Sequence, residues 1–157
     1  MNILEWKEGT KMKIETHMFG VIEIKDDKVI TFNEGLPGFE ELKKFGIIED
    51  EENGPLKHLQ SLEDGNICFV IVDPYFFKKD YAPIINESYF EKLGGGEDSD
   101  FAIYSTVCLK TPLEESTLNL AGPLLIHVDN KLGIQVIAEE KMYRTKHKLI
   151  DLINERG

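Results

Sequence analysis

Four histidines, two cysteines and an abundance of carboxylates are the groups in this chain that can do chemistry. His17, His58, His127 and His147 are scattered, and none has a histidine or cysteine neighbour at metal-ligand spacing. His58 and His127 fall in strand-like runs, where a hydrogen-bonded or exposed strand histidine is the better reading than a catalytic one. Cys68 and Cys108 both sit in apolar runs far apart in sequence, which predicts buried reduced thiols rather than a metal or redox pair. Gly94-Gly95-Gly96 resembles a phosphate cradle only until its continuation is read. Glu97-Asp98-Ser99-Asp100 supplies no Lys-Ser or Lys-Thr and would meet phosphates with negative charge. Ser61 and Ser105 have no Gly-x-Ser-x-Gly elbow around them. Acidic runs such as Glu49-Asp50-Glu51-Glu52 read as solvated loops, without the geometry that acid–base work needs. The residues therefore predict no metal, no cofactor and no catalytic centre.

Contact chemistry is better represented. Tyr75-Phe76-Phe77 follows directly on Asp73-Pro74, where proline ends a strand. Three successive aromatics at a strand end either cap the core or form an apolar patch rimmed by Lys78, Lys79 and Asp80, the anatomy of a protein-binding surface. Lys141, Arg144, Lys146 and Lys148 form the one basic cluster, read as sitting at a helix start and balancing Glu139-Glu140.

The net charge of −11, with Arg144 and Arg156 the only arginines, argues against direct nucleic-acid binding, which depends on neutralising phosphates. A basic partner suits this field, which speeds and orients encounter. The 157 residues fit one domain, and no apolar run approaches a membrane span. Residues 1–11 lack a signal-peptide core because Glu5, Lys7 and Glu8 interrupt them. They read as a flexible polar leader, residues 12–157 as the folded domain, and the protein as cytoplasmic.

The elements that must position these groups are mostly strands. Period-two alternation appears over 13–17 and 21–25, and further strand segments over 28–32, 46–48, 57–62, 67–72, 101–109, 117–120, 124–128 and 133–138. A short helix is expected over 86–93, capped by Asn86 or Ser88, and a terminal helix from 146 with Leu149, Ile150, Leu152 and Ile153 on one face. Leu36-Pro37-Gly38-Phe39 predicts a type II turn, and the residues after it, 39–45, two helical turns with a Glu40–Lys44 ion pair. The fold class is mainly β, a mostly antiparallel barrel or sandwich with a few short helices.

Five stretches in order carry a family resemblance. They are Ile30-Thr31-Phe32 through Gly35-Leu36-Pro37-Gly38-Phe39-Glu40; Leu59-Gln60-Ser61-Leu62; Phe69-Val70-Ile71-Val72-Asp73-Pro74 with its aromatic loop; Asn119-Leu120 followed by Pro123; and Gly133-Ile134-Gln135-Val136. Together they resemble FliW, the bacterial flagellar assembly factor family, with Gly122 where alanine is usual and His127 where asparagine is common. The resemblance implies a compact antiparallel pseudobarrel and a non-enzymatic partner switch, monomeric when free. Its partners would be flagellin and CsrA, a small dimeric RNA-binding repressor of flagellin translation. On that reading Tyr75, Phe76 and Phe77 anchor a partner, Asp73 and Asn119 make polar contacts, and Glu49, Asp50, Glu51, Glu52, Glu97, Asp98 and Asp100 steer the basic repressor. The rival readings are a small β-barrel enzyme or ligand carrier, which needs a closed polar pocket around a shifted titratable group, and a purely structural subunit.

Overall fold

The computed structural model describes residues 11–49, 52 and 54–155. The leader residues 1–10, Asp50 and Glu51 lie outside the described residues.

The alternating N-terminal sequence forms β1 (Lys11–Thr16) and β2 (Gly20–Lys25), an antiparallel hairpin. Lys11 opens β1. Met12 and Ile14 turn inward onto Leu62, while Lys11 and Lys13 face solvent.

The remaining strands are β3 (Ile30–Thr31), β4 (Lys44–Glu49), β5 (Lys57–Ser61), β6 (Cys68–Val72), β7 (Phe101–Cys108), β8 (Thr117–Leu118), β9 (Leu124–His127), β10 (Leu132–Gln135) and β11 (His147–Lys148). β7 hydrogen-bonds to β6 along its C-terminal half and to β9 along its N-terminal half. The run β7-β6-β5-β4-β3-β10-β9 therefore closes on itself as a barrel of seven strands. Every neighbouring pair is antiparallel except β3 and β10, which run parallel and meet only at Leu132 and Thr31. The barrel is thus mixed but mostly antiparallel, in line with the expected mainly β, mostly antiparallel fold. β8 and β11 extend the sheet beyond β7.

Phe32, Phe45, Leu59, Ile71 and Leu124 fill the barrel, each fully buried. Phe32 and Phe45 meet edge to face at 5.4 Å, the arrangement that ring quadrupoles favour. That packing explains the largest departure from the sequence reading. Residues 39–45 form no helix, because Phe45 pairs with Ile30 in β4 and drops into the core. The type II turn does form: Phe39 N donates to Leu36 O at 2.7 Å, and Gly38 adopts φ +85°. The Glu40–Lys44 ion pair does not. Glu40 accepts from Gly38 N, and Lys44 Nζ reaches Thr31 Oγ1.

Two helices sit outside the barrel among the described residues. In α1 (Glu87–Lys92), the Asn86 side chain accepts from Ser88 N at 2.9 Å, as its cap position predicts. In α2 (Leu149–Glu155), Leu149 and Leu152 are buried beside Val72, Phe77 and Leu118, whereas Ile153 is 46% exposed and leaves the expected face. Lys141, Arg144 and Lys146 precede α2 in non-helical chain rather than starting a helix. Lys148 pairs with Glu115 at 2.9 Å, and Glu140 accepts from Ile84 N, so the expected internal counterweight does not form. Cys68 is half-buried, and burial pushes its thiol up to about 11. Cys108 is exposed at the end of β7, contrary to expectation, because the chain leaves the sheet there.

His147 ties the C-terminal segment together. Its Nε2 accepts from Arg144 N at 2.8 Å, and burial, aided by Arg144 and Lys78, lowers its pKa below the usual 6.5. A depressed folded-state pKa means that the unfolded chain takes up the proton first. The stabilisation is complete above about pH 6.5 and is lost as pH falls through the lower folded value. Thermal stability is therefore expected to drop as pH falls below about 6.5, and the His147→Ala variant should show a flatter profile there. Equal slopes would remove His147 from the account.

Candidate partner-binding groove

Asp73 terminates β6, and its Oδ1 accepts from Tyr75 N at 2.9 Å. This local bond, with Pro74 at the first position, winds Pro74–Phe76 into a 3-10 turn. The turn sorts the three aromatics. Phe77 points inward at 8% exposure and joins the core beneath α2, while Tyr75 (39%) and Phe76 (50%) remain outside. Phe77 is thus a core residue, separated in role from its two neighbours. Phe76 stands edge-on to Phe77 at 5.1 Å, which holds the outer ring in place.

Behind Tyr75 lies a cleft of about 540 Å³. Phe101, Ile103 and Leu125, from β7 and β9, Phe90 of α1 and the segment Ala82-Pro83 line it together with Tyr75 and Tyr81. Tyr81 is fixed by a 2.6 Å hydrogen bond from its hydroxyl to Leu120 O and by an edge contact with Tyr143 at 4.8 Å. Burial pushes the Tyr81 phenol well above its ordinary range, and burial with the Asp73 charge raises Tyr75. Both phenols stay neutral donors, far from the range of a physiological acid or base.

Asp98 stands on the same cleft. It begins the 3-10 turn Asp98–Asp100, closed by a 2.8 Å bond from Glu97 N to the Asp100 carboxylate. The fold therefore brings one acidic loop beside the exposed aromatics. It does not bring the other. Glu49 lies on β4, pairs with Lys57 at 3.1 Å and lines a different cleft with Ile47 and Tyr104. Glu52 is exposed. Asn119 is also elsewhere. Its Oδ1 accepts from Ala121 N and Gly122 N at 3.1 and 2.8 Å, shaping the turn before β9.

The sequence reading passed over Ile84, which is 56% exposed next to the cleft-lining Pro83 and Ile85. A Pro-Ile-Ile run outside any strand pattern was the available signal. Among the described residues, no group of three or more His, Cys, Asp and Glu is placed to hold a metal ion, and no helix is long and apolar enough to cross a membrane.

A small mixed barrel with an aromatic cleft at the end of β6 is the class of protein that this geometry defines. A family model described as FliW protein matches residues 13–149. The flagellar assembly factor FliW of Caldanaerobacter subterraneus subsp. tengcongensis is 39% identical over 141 residues, covering 89% of this chain and 94% of the relative. That of Thermotoga neapolitana is 40% identical over 131 residues, covering 83% and 88%. A crystal structure of the flagellar assembly factor FliW superposes with a TM-score of 0.83 at 33% identity, over 88% of this chain and 96% of that one. The chain belongs to the FliW family of flagellar assembly factors.

Proposed function

We propose that this protein is a non-enzymatic partner switch of the cytoplasm, monomeric when free, that exchanges flagellin for a CsrA-type RNA-binding repressor. In its free form it holds the repressor off the flagellin message. Accumulating flagellin takes it away, the repressor returns to the message, and synthesis follows export. The observation that carries this reading is the exposed ring of Tyr75 on an aromatic-lined cleft that Asp98 shares, with the exposed ring of Phe76 next to it in the chain. An amphipathic flagellin segment can lay its apolar face into such a cleft by helix-in-groove docking. The net charge of −11 favours encounter with a repressor that must be basic to hold RNA.

The switch is tested by following the repressor on its RNA in a gel-shift assay. Adding this protein should release the RNA, and adding flagellin afterwards should restore the complex. Release that flagellin does not reverse would contradict the exchange, and failure to release the RNA at all would contradict the repressor arm.

A further inference from the structure

A second cleft, also about 540 Å³, lies where the parallel pair of the barrel comes apart. One bank is the corner carrying Glu34, Gly35, Pro37 and Glu40, and the other is the strand path Ile134 to Ile137. Beyond β10 the ladder continues, since Val136 N donates to Pro123 O and Ala138 N to Ala121 O. The even-numbered residues thus point their main-chain groups towards the 121–123 segment. By strand alternation, Gln135 and Ile137 point theirs the opposite way, towards the cleft.

On that side β3 has already turned off into the corner: its pairing with β10 ends at Leu132, so the ladder offers Gln135 no partner there, and among the described residues no backbone hydrogen bond is made to the main chain of Ile137. Two N–H and two C=O groups therefore stand along an open strand edge. Two side-chain amides in the cleft also keep capacity to spare. Asn119 engages its Oδ1 with the backbone and leaves Nδ2, and Gln135 donates Nε2 to Gly122 O and leaves Oε1. Gly122 makes room for both, because a Cβ there would lie 2.9 Å from Gln135 Nε2 and 3.3 Å from Asn119 Nδ2. An amide donor and an amide acceptor beside an open strand edge match peptide main chain. Ile137, 69% exposed, supplies apolar contact. On the rim, Lys92 is paired with Glu34 at 3.3 Å, which leaves the Glu40 carboxylate and the overall negative field to set the charge preference.

We infer that this cleft binds an extended, cationic peptide segment of a partner protein, which adds as a strand along Gln135–Ile137. The added strand takes the place that β3 vacates and completes the barrel's open seam. At ~3.3 Å per residue, the three-residue edge accommodates a segment of about three residues. The inference rests on the second cleft alone and stands whether or not the flagellin and repressor reading does.

The test uses the full chain and three capped synthetic peptides: acetyl-Lys-Val-Thr-Val-Lys-amide, its acidic counterpart with glutamate at both ends, and a cationic version N-methylated at alternate amides. The readout is residue-resolved amide hydrogen exchange with peptide near 1 mM, the range of a weak strand contact. At about half occupancy the cationic peptide should slow exchange at Gln135 and Ile137 about two-fold, and the other two should leave it unchanged. Ile137→Pro removes an N–H that has no internal partner and should abolish the protection. Glu40→Lys, on the opposite bank, should weaken it even if the proline variant fails to fold. Protection by the acidic or methylated peptide to the same degree would overturn the inference, as would no protection by the cationic one. Protection that rises with protein concentration alone would also overturn it, by assigning the edge to a second copy of this chain.

Discussion

Phe77→Ala is expected to destabilise the protein by about 3 kcal/mol, within the range for deleting a buried aromatic ring. At this chain length that lowers the melting temperature by roughly 6–12 °C. The neighbouring Phe76→Ala should behave in the opposite way. It removes a ring that is 50% exposed, so stability should change by no more than about 0.5 kcal/mol. If the exposed aromatic loop anchors flagellin, the same substitution should weaken flagellin binding about ten-fold, or ~1.4 kcal/mol. Thermal melts and a flagellin titration on both variants separate packing from recognition. A Phe76→Ala protein that melts early and binds normally would return both rings to the core and remove the groove from the account.

The second large effect is expected at Gly35. Its φ is +65°, and a Cβ there would lie 2.5 Å from Glu40 Cα and 2.6 Å from Glu40 O. Those atoms are backbone and cannot swing aside, so Gly35→Ala combines about 1 kcal/mol for the left-handed conformation with a further ~1–3 kcal/mol of overpacking. Gly38 provides the control. It also has positive φ, +85°, but a Cβ there would meet nothing within 4 Å, so Gly38→Ala should cost only the conformational part. Unfolding free energies from denaturant titrations of the two variants should differ by about 2 kcal/mol. Equal costs would mean that the corner relaxes and that Glu40 does not hold Gly35 in place.

The corner shows both the reach and the limit of reading this chain. The turn at Leu36–Phe39 was legible because proline and glycine have few backbone alternatives. The strand that follows was not, because Phe39, Leu42 and Phe45 mimic helical spacing. What decides the matter is the place of Phe45 against Phe32 and Ile30 in the barrel, a contact made by residues remote in sequence. β1 and β2 were legible from alternation, and α1 from Asn86 and the glycines after it. The closure of β7 on β9 and the single parallel contact of β10 with β3 leave no periodic trace, so they appear only in three dimensions.

Side-chain roles divide in the same way. The aromatic loop stood out from its composition, yet which ring faces outward depends on a 3-10 turn that Asp73 caps. Asp73 and Asn119, expected to meet a partner, direct their oxygens to backbone amides two or three residues on, as Asx residues beside Pro and Gly commonly do. Asp98 reaches the aromatic cleft because β7 starts immediately after its turn, whereas Glu49 is carried by β4 to a different one.

Calorimetric titration of the purified protein with flagellin and with the CsrA-type repressor, each at low and high salt, tests the central claim most directly. Saturable heat is expected with both partners, with the repressor complex weakening as salt screens its charges and the flagellin complex weakening less. Absence of binding to either partner would contradict the account.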